Sequence, residues 1–593
     1  MHPADRLHAL PPEAVRFRGA VDERIRLSRE RHLRVLDPQA LTAWFRERPD
    51  PFACGEFWGK TVRAACPLYR HAGDAELRER VWAMVDALLA TQDADGCIST
   101  QSRARQPLGS DLWERKYVLL GLLAWYEAEG DARALDAALR LADHVLSLVG
   151  PAPRRRIVDT GWAFAGIESS SILEPILRLH RLTGAARLLD FARYIVEDEG
   201  ACGRGSIFAA ALAGVLPRDI GGNGYPAQSI AKAYESMSCF EGLVEYHRAT
   251  GERRWLDAAI AYHHALRERE ITIIGSGGGE GLYNRGPGTG EQWNDTALDQ
   301  ADPALRLQME TCVTVTWMKL CLQLLRATGD PRYADDIEES LHNALMGAQR
   351  PDGSAWDYFQ TLCGTRGGAD NFASDVGGFR LSCCTANGPM GYAILPGMAV
   401  MRRGDGLAVN LYLPGTVQAD VPGAGAVRLD IDTGYPADGR IALAVRPQHA
   451  ARFTIALRIP GWSASSALRV GGESFPAQAG TYAVIEREWR PGERIELELD
   501  LAVRRIAAPR GACAALRRGP LVLARDLRLG GDPDAVVRLS QRPEATMIIP
   551  GFPVQAACRI ADADGRALDL IDYASAGRTW GSDSRLRVWL PSA

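Results

Sequence analysis

Long hydrophobic runs are missing from this sequence: no stretch of about 18 uninterrupted apolar residues, the length that spans a bilayer, occurs among its 593 residues. The first residues, Met1 to Arg6, run into charged positions without the apolar core of a signal peptide. An excess of charge is missing too, because 69 basic and 73 acidic residues give a net charge of −4. No global field therefore attracts nucleic acid or an anionic membrane. We expect a cytoplasmic protein whose partners are neither nucleic acids nor membranes.

A disulfide framework is also lacking. The twelve cysteines are scattered through a long chain, and in a reducing compartment most should be free, buried thiols. Only Cys312, Cys383 and Cys384 stand in a pattern that indicates a role other than packing in the core. Adjacent cysteines make a poor disulfide, because the trans peptide between them holds their Cβ vectors apart. A metal is the simpler interpretation, since these three thiols and the carboxylate of Glu310 would complete a tetrahedral Zn²⁺ site.

Five glycine-centred turns punctuate the first 400 residues. Each turn joins two amphipathic helices, and each glycine fits a left-handed helix C-cap. A helical hairpin cannot bury its apolar stripe alone, so repeated hairpins must stack on one another. Their irregular spacing and the long Gly-rich interruptions favour a closed (α/α)6 toroid over an open solenoid, with loops lining a cavity at one end of the ring. The turns are centred on Gly73, Gly130, Gly184, Gly251 and Gly329.

After about residue 400 the pattern changes to short alternating segments between Gly, Pro and Asp turns, which is typical of an antiparallel β-sandwich. A break at residues 509–511 precedes another strand-rich part. We therefore predict a multidomain α and β protein. It would consist of an (α/α)6 barrel catalytic domain over residues 1–400, a β-sandwich over 401–508, and a second β-sandwich or β-rich extension over 509–593.

Glu310 and Cys312 are two residues apart, so on a continuous helix their side chains would diverge by about 200°. A helical pattern continues after Cys312, which places both residues at a helix N-terminus, where free backbone donors favour a carboxylate and a thiolate. Cys383 and Cys384 stand in a Ser, Thr, Asn and Gly-rich segment that we expect to be a loop folding back to meet them. A closed Cys₃Glu site is usually structural, yet a metal-bound thiolate remains a nucleophile, so both interpretations stay open here.

Glu291 follows a Gly-rich run and stands two residues before Trp293. A desolvated glutamate against a tryptophan has a raised pKa and can hold a proton for a leaving group. Glycosidases need an acid/base and a nucleophile around the anomeric carbon. Glu291 and a metal-held cysteine could supply these two roles.

Residues 290–293, 309–312 and 382–387 together resemble glycoside hydrolase family 127, the β-L-arabinofuranosidase type, and residues 55–60, 92–96 and 113–117 extend the likeness. The resemblance implies a retaining glycosidase with an (α/α)6 barrel and one zinc ion. Carried over by position, it makes Cys383 the nucleophile and Glu291 the acid/base, with Glu280 as the rival for the second role. The implied zinc ligands are Glu310, Cys312, Cys383 and Cys384.

The expected substrate is a β-L-arabinofuranoside or a related furanoside, either a small glycoside or an oligosaccharide. The best-known arabinofuranosidases place histidines against the sugar, and residues 113–117 and 232–234 contain none, which leaves the sugar open. Lys60, Lys116 and Lys232 are candidates for binding an acidic sugar. Two alternatives are a carboxylate-pair inverting glycosidase or lyase with a structural zinc, and a non-catalytic carbohydrate-binding protein. A homodimer is also left open.

Overall fold

The computed structural model describes residues 5–162, 165–220, 231–279, 291–305, 307–367, 372–581 and 583–591. Helices dominate up to Met398, and strands dominate after it. Within the described ranges, no helix is both long and apolar enough to cross a membrane. The helices are α1 (Gly19–Leu27), α2 (Pro38–Glu47), α3 (Glu56–Ala72), α4 (Ala75–Leu89), α5 (Asp111–Glu129), α6 (Ala132–Leu148), α7 (Ile167–Ser170), α8 (Leu173–Thr183), α9 (Ala186–Arg193), α10 (Ile207–Leu212), α11 (Ala233–Thr250), α12 (Arg253–Arg269), α13 (Thr296–Asp299), α14 (Thr311–Thr328), α15 (Arg332–Ser340), α16 (Met346–Ala348), α17 (Cys383–Ala393) and α18 (Leu395–Met398).

The five predicted glycine turns are confirmed. Each glycine follows the last residue of a helix and adopts a positive φ between 67° and 79°, the left-handed conformation that a side chain disfavours. The helices joined by these turns pack on each other as pairs. The pairs are α3 with α4, α5 with α6, α8 with α9, α11 with α12, and α14 with α15.

Helix α3 approaches α5 closely at Gly59. A methyl group there would overlap the backbone carbonyl of Tyr117, so only glycine allows the two helices to pack at this distance. The residue after it, Lys60, is buried between α5 and α17 and reaches the start of α17. Gly59 thus allows a short distance between α3 and α5, immediately beside the start of α17, which carries Cys383.

The strands form three large sheets and two short ribbons. The strands are β1 (His8–Ala9), β2 (Val15–Phe17), β3 (Gln308–Glu310), β4 (Phe359–Thr361), β5 (Cys363–Thr365), β6 (Ser374–Val376), β7 (Phe379–Leu381), β8 (Val400–Arg403), β9 (Gly406–Val409), β10 (Gly415–Val421), β11 (Gly425–Thr433), β12 (Arg440–Pro447), β13 (Ala451–Ile459), β14 (Ser466–Val470), β15 (Glu473–Phe475), β16 (Thr481–Trp489), β17 (Glu493–Leu499), β18 (Val503–Ala507), β19 (Cys513–Arg518), β20 (Leu521–Asp526), β21 (Ala545–Met547), β22 (Ala557–Ala561), β23 (Ala567–Asp572), β24 (Arg585–Arg587) and β25 (Leu590–Pro591).

Two of the large sheets follow the helical part directly, with strand orders β1-β8-β9-β13-β16 and β15-β14-β17-β12-β11-β10-β2. Their pairings are antiparallel except for β9 with β13. Buried and exposed residues alternate along β10, β12 and β17, and the buried ones of both sheets belong to one core. β1 and β2, which lie at the start of the region predicted to form the barrel, join these sheets. Such pairing between distant segments leaves no local signal in the sequence.

The third large sheet runs β18-β19-β20-β23-β22-β21, and β24 extends it to β5 from the helical part. One of its cores contains Val522 and Tyr573 together with Met309. Because side chains alternate along a strand, Met309 points into this core while its neighbour Glu310 points the other way. The C-terminal sheet therefore supports the strand that presents Glu310. None of the twelve cysteines, all of which lie in the described ranges, forms a disulfide.

Candidate active site

The four predicted metal ligands come together although about seventy residues separate their two segments. One sulfur from each of Cys312, Cys383 and Cys384 and one carboxylate oxygen of Glu310 all lie within 4.8 Å of one another. The Sγ atoms of Cys383 and Cys384 are 3.9 Å apart, and Cys384 Sγ is 3.7 Å from Glu310 Oε1. Three of the residues are buried and Cys383 is half-buried.

A strand-to-helix junction presents the first pair of ligands. Glu310 ends β3 in extended conformation and is the N-cap residue of α14, and Cys312 is the second residue of that helix. The change from strand to helix between them turns both side chains toward one point, which a continuous helix would not allow. The prediction that the pair stands at a helix N-terminus is confirmed.

A second helix N-terminus presents the other two cysteines. Cys383 and Cys384 are the first two residues of α17, so the expectation of a loop was wrong. Ser382 caps this helix: its hydroxyl accepts from the Thr385 backbone N–H, and the Thr385 hydroxyl accepts from the Ser382 backbone N–H. A Ser with a hydrogen-bonding side chain three residues later is a capping box, so the signal was present in the sequence.

The donor set fits a tetrahedral zinc ion. With zinc–sulfur bonds of about 2.3 Å, tetrahedral geometry requires sulfur–sulfur edges of about 3.8 Å and sulfur–oxygen edges of about 3.5 Å. The observed 3.9 Å and 3.7 Å match these edges. In the part of the chain that the structure describes, Oε2 of Glu310 is buried without a hydrogen-bond partner. A bound cation would balance this carboxylate, whose pKa burial and the charge of Glu291 raise well above its usual range.

Lys60 supplies a positive charge on the inner side of the cluster. Its Nζ lies 3.9 Å from Cys312 Sγ, 3.3 Å from the Cys383 carbonyl and 3.1 Å from Glu56 Oε2. Burial raises the pKa of the Cys312 thiol, but hydrogen bonds from Cys383 and Cys384 and the charge of Lys60 outweigh it and lower the pKa to about 6. One thiolate is therefore favoured even before a metal binds.

Glu291 stands across from the cluster and adopts a positive φ of 62°. Its carboxylate forms an ion pair with Lys232 and accepts a hydrogen bond from the Tyr358 hydroxyl. Burial opposes ionisation, but the charge of Lys232 and these hydrogen bonds lower the pKa of Glu291 below its usual value. The expected effect of Trp293 was wrong, since that indole is buried and donates to the Tyr262 hydroxyl instead. Glu280 lies outside the described residues.

Tyr358 links the two predicted catalytic groups. Its hydroxyl lies 3.1 Å from Cys383 Sγ and also donates to Glu291. Nothing in the sequence singled this residue out, because it lies 67 residues from Glu291 and 25 from Cys383. It reaches the site through the pairing of β4 with β3, in which Phe359 stands opposite Glu310.

A cavity of about 300 Å³ opens onto these groups. Cys383, Glu291 and Glu310 line it, whereas Cys312 and Cys384 are not among its lining residues. Its remaining lining residues are Phe52, Ala53, Glu56, Trp113, Trp162, Lys232, Tyr234, Glu235, Tyr358, Phe359 and Phe372. The volume is at the small end of ligand pockets, which start at about 300 Å³, and suits a single sugar ring.

The other lysines named from the sequence, and the tryptophans within residues 55–60 and 113–117, separate into residues that line the cavity and residues that do not. Trp113 and Lys232 line the cavity. Trp58 is fully buried and donates to the Met84 carbonyl, so its role is packing. Lys116 is buried with its Nζ over the rings of Trp113 and Tyr117, outside the cavity lining.

Cys312→Ser is expected to weaken metal binding, because an alcohol is a far poorer zinc ligand than a thiolate. Wild-type protein purified without chelator should contain about one zinc ion per chain, and the variant well below half that amount after dialysis. Elemental analysis by mass spectrometry measures both contents. Cys66→Ser, at a buried cysteine on α3 that belongs to no group of possible metal ligands among the described residues, is the matched control and should keep the wild-type content. Equal metal contents in wild type and Cys312→Ser would contradict the ligand assignment.

Comparison with known proteins gives the family of this chain. The sequence model described as β-L-arabinofuranosidase, GH127 catalytic domain, matches residues 17–395, and that of the GH127 middle domain matches residues 406–501. The non-reducing end β-L-arabinofuranosidase of Bifidobacterium longum subsp. longum is 23% identical over 511 residues, which are 77% of this chain and 73% of that one.

Solved structures share the fold over the whole chain. A GH127 β-arabinofuranosidase has a TM-score of 0.80 at 20% identity and covers 100% of this chain and 99% of its own. A GH127 β-L-arabinofuranosidase from Geobacillus stearothermophilus T6 has a TM-score of 0.77 at 19% identity, over 98% of this chain and 100% of its own. Since the catalytic-domain match alone covers more than half of the sequence, the chain belongs to glycoside hydrolase family 127 and is a glycoside hydrolase.

Proposed function

We propose that the protein is a retaining glycosidase that releases β-L-arabinofuranose, or a closely related pentofuranose, with Cys383 as nucleophile and Glu291 as acid/base. The observation that carries this proposal is that both groups line one sugar-sized cavity and share the Tyr358 hydroxyl. The choice of sugar rests on the relatives, which are named β-L-arabinofuranosidases.

We also propose that Glu310, Cys312, Cys383 and Cys384 hold a zinc ion. When bound, zinc would keep the Cys383 sulfur deprotonated near neutral pH while leaving it nucleophilic. Among the thiol ligands, Cys383 has the sulfur that faces the cavity, whereas Cys312 and Cys384 are fully buried. This difference in exposure favours Cys383 over its neighbours as the residue that reaches a substrate.

The first half-reaction replaces a carbon–oxygen bond with a carbon–sulfur bond. The Cys383 sulfur attacks the anomeric carbon, and the protonated carboxyl of Glu291 donates its proton to the departing glycosidic oxygen. The leaving alcohol departs neutral, and the sugar remains attached to Cys383 as a thioglycoside with inverted configuration. Tyr358 holds the two groups at a fixed separation through its hydroxyl.

The second half-reaction hydrolyses the thioglycoside and regenerates the free Cys383 thiolate. Glu291, now a carboxylate, takes a proton from a water molecule whose oxygen attacks the anomeric carbon. The carbon–sulfur bond breaks, and the second inversion restores the starting configuration. Burial raises the pKa of Glu291, but the charge of Lys232 lowers it further than burial raises it, which keeps the carboxyl ionised for this step. For the first half-reaction, we expect a bound substrate to exclude water from Glu291, which raises the pKa of the carboxyl and favours its protonated form.

We propose further that the inner helices close an (α/α)6 ring. Contacts support closure: α3 packs on α5, α5 on α8, α8 on α11, α11 on α14, α14 on α17, and α17 again on α3. Closure by α17 would explain how Cys383 reaches both Lys60 and Cys312. In this proposal residues 1–400 form the catalytic domain, and 401–508 and 509–593 form two β-rich units that support it.

The configuration of the first product tests the mechanism. With p-nitrophenyl β-L-arabinofuranoside, proton NMR during the first minutes should show β-L-arabinofuranose before the anomers equilibrate, because two inversions retain the configuration. Early appearance of the α anomer would support the carboxylate-pair inverting alternative and overturn the proposed nucleophile. Absence of turnover on furanosides would contradict the proposed substrate class.

A further inference from the structure

Glu235 is a buried carboxyl group that the proposed mechanism does not use. It stands in the first turn of α11 and lines the catalytic cavity, although only 4% of the residue is exposed. Its Oε1 lies 4.0 Å from Lys232 Nζ. Among the residues that the structure describes, Oε2 has no hydrogen-bond partner.

An acceptor left unpaired in a protein interior costs about 1–3 kcal/mol, so such an atom needs an explanation. Glu241, two turns further along α11, is paired, because it accepts from Lys319 at 2.9 Å. The unpaired oxygen of Glu235 belongs instead to a residue that lines the cavity. A ligand group that donates a hydrogen bond would satisfy it.

The charges around the cavity indicate whether this ligand group is acidic or neutral. Lys60 is engaged by Glu56 and Cys312, and Lys232 forms its ion pair with Glu291. Among the described residues, these two lysines are therefore neutralised by carboxylates, and Glu235 adds a further acidic group. These acidic groups would repel a sugar carboxylate, whereas sugar hydroxyls are suitable donors.

We propose that Glu235 is a specificity residue that hydrogen-bonds one hydroxyl of a neutral furanose ring held between Cys383 and Glu291. This inference rests on the proposed function and extends it to the recognition of the sugar. Burial raises the pKa of Glu235 to about 8, against the opposing charge of Lys232. In either protonation state the carboxyl retains an acceptor oxygen for a hydroxyl group.

Deoxy substrates test the proposal in a double-mutant cycle that combines the loss of one sugar hydroxyl with a substitution of Glu235. The kcat/KM values of wild type, Glu235→Gln and Glu235→Ala are measured on p-nitrophenyl β-L-arabinofuranoside and on its 2-, 3- and 5-deoxy analogues. In wild type, loss of the hydroxyl that Glu235 binds should lower kcat/KM by about 10²-fold or more, because a buried polar group is left unpaired. Glu235→Ala should lower kcat/KM on the parent sugar by a similar factor and respond less than about threefold to the same deoxy change.

The isosteric variant and a matched control separate recognition from folding. Glu235→Gln should lose less than Glu235→Ala on the parent sugar, because its amide still offers an acceptor oxygen. Glu241→Gln, on the same helix and equally buried, should keep the wild-type pattern of deoxy penalties whatever its stability. Wild-type turnover of the parent sugar reports on the proposed function by itself. Equal deoxy penalties in wild type and Glu235→Ala, or rapid turnover of the corresponding uronic acid glycoside, would overturn the inference.

Discussion

Cys383→Ala is expected to lower kcat on aryl β-L-arabinofuranosides by about 10⁴-fold or more, which makes it one of the two largest effects that the site predicts. The variant loses the atom that forms the covalent bond with the sugar, and water cannot replace it from inside the half-buried cluster. Initial rates under saturating substrate give the comparison. Retention of more than about one per cent of the activity would contradict a covalent role for this sulfur.

A covalent label locates the nucleophile independently of turnover. A haloacetamide-type mimic of L-arabinofuranose should inactivate wild-type protein and leave its adduct on the peptide that contains Cys383. Cys363 is the matched control, since it is another half-buried thiol but lies in β5, outside the cavity lining. Cys363→Ala should keep activity and labelling. Inactivation with the adduct on a different residue would assign the nucleophile elsewhere.

The grouping of Glu310, Cys312, Cys383 and Cys384 was predictable from the sequence because these residues sit at helix starts that carry local signals. The helical pattern after Cys312 marked one start, and the Ser382 to Thr385 capping box marked the other, although we expected a loop there. Neighbouring cysteines that cannot pair with each other then indicated a metal. The five glycine caps were predictable for the same reason, since a left-handed residue is a local requirement.

The groups around the cluster were not predictable in the same way. Tyr358 enters through a short strand pairing, and Lys60 enters through a helix contact that depends on Gly59. Glu241 is paired with Lys319, whereas Glu235 lines the cavity and keeps one oxygen without a hydrogen-bond partner among the described residues. This difference depends on helices packed from other parts of the chain. Contacts of this kind arise from the tertiary structure, and a single sequence carries no pattern for them.

The N-terminal strands likewise could not be predicted from the sequence, because they depend on pairing with distant segments. β1 and β2 have only two and three residues, too few for a recognisable alternation. They become strands because β8 and β10, about four hundred residues later, offer free edges to pair with. The helical region and the first two sheets are thereby joined by the beginning of the chain as well as by the segment around Met398.

Glu291→Gln is expected to have an effect that depends on the leaving group. With an alkyl or sugar leaving group, kcat/KM should fall by about 10³-fold or more, because the departing oxygen then needs the proton that glutamine cannot donate. With a dinitrophenyl leaving group, which departs as a stable anion, the first half-reaction should lose little. The glycosyl group would then accumulate on Cys383, because glutamine cannot activate water in the second half-reaction.

Azide completes this test, because it attacks the anomeric carbon without needing a base. Adding it to Glu291→Gln should restore release of p-nitrophenol or dinitrophenol and yield a β-L-arabinofuranosyl azide, identified by NMR. Glu280→Gln, the rival suggested by the sequence, is the matched control and should keep the wild-type dependence on the leaving group. If the losses of Glu291→Gln were the same for every leaving group and azide changed nothing, the carboxylate would act through its ion pair with Lys232 alone. If Glu280→Gln showed the azide rescue instead, the acid/base would be that residue, and Glu291 would be a positioning residue for Tyr358.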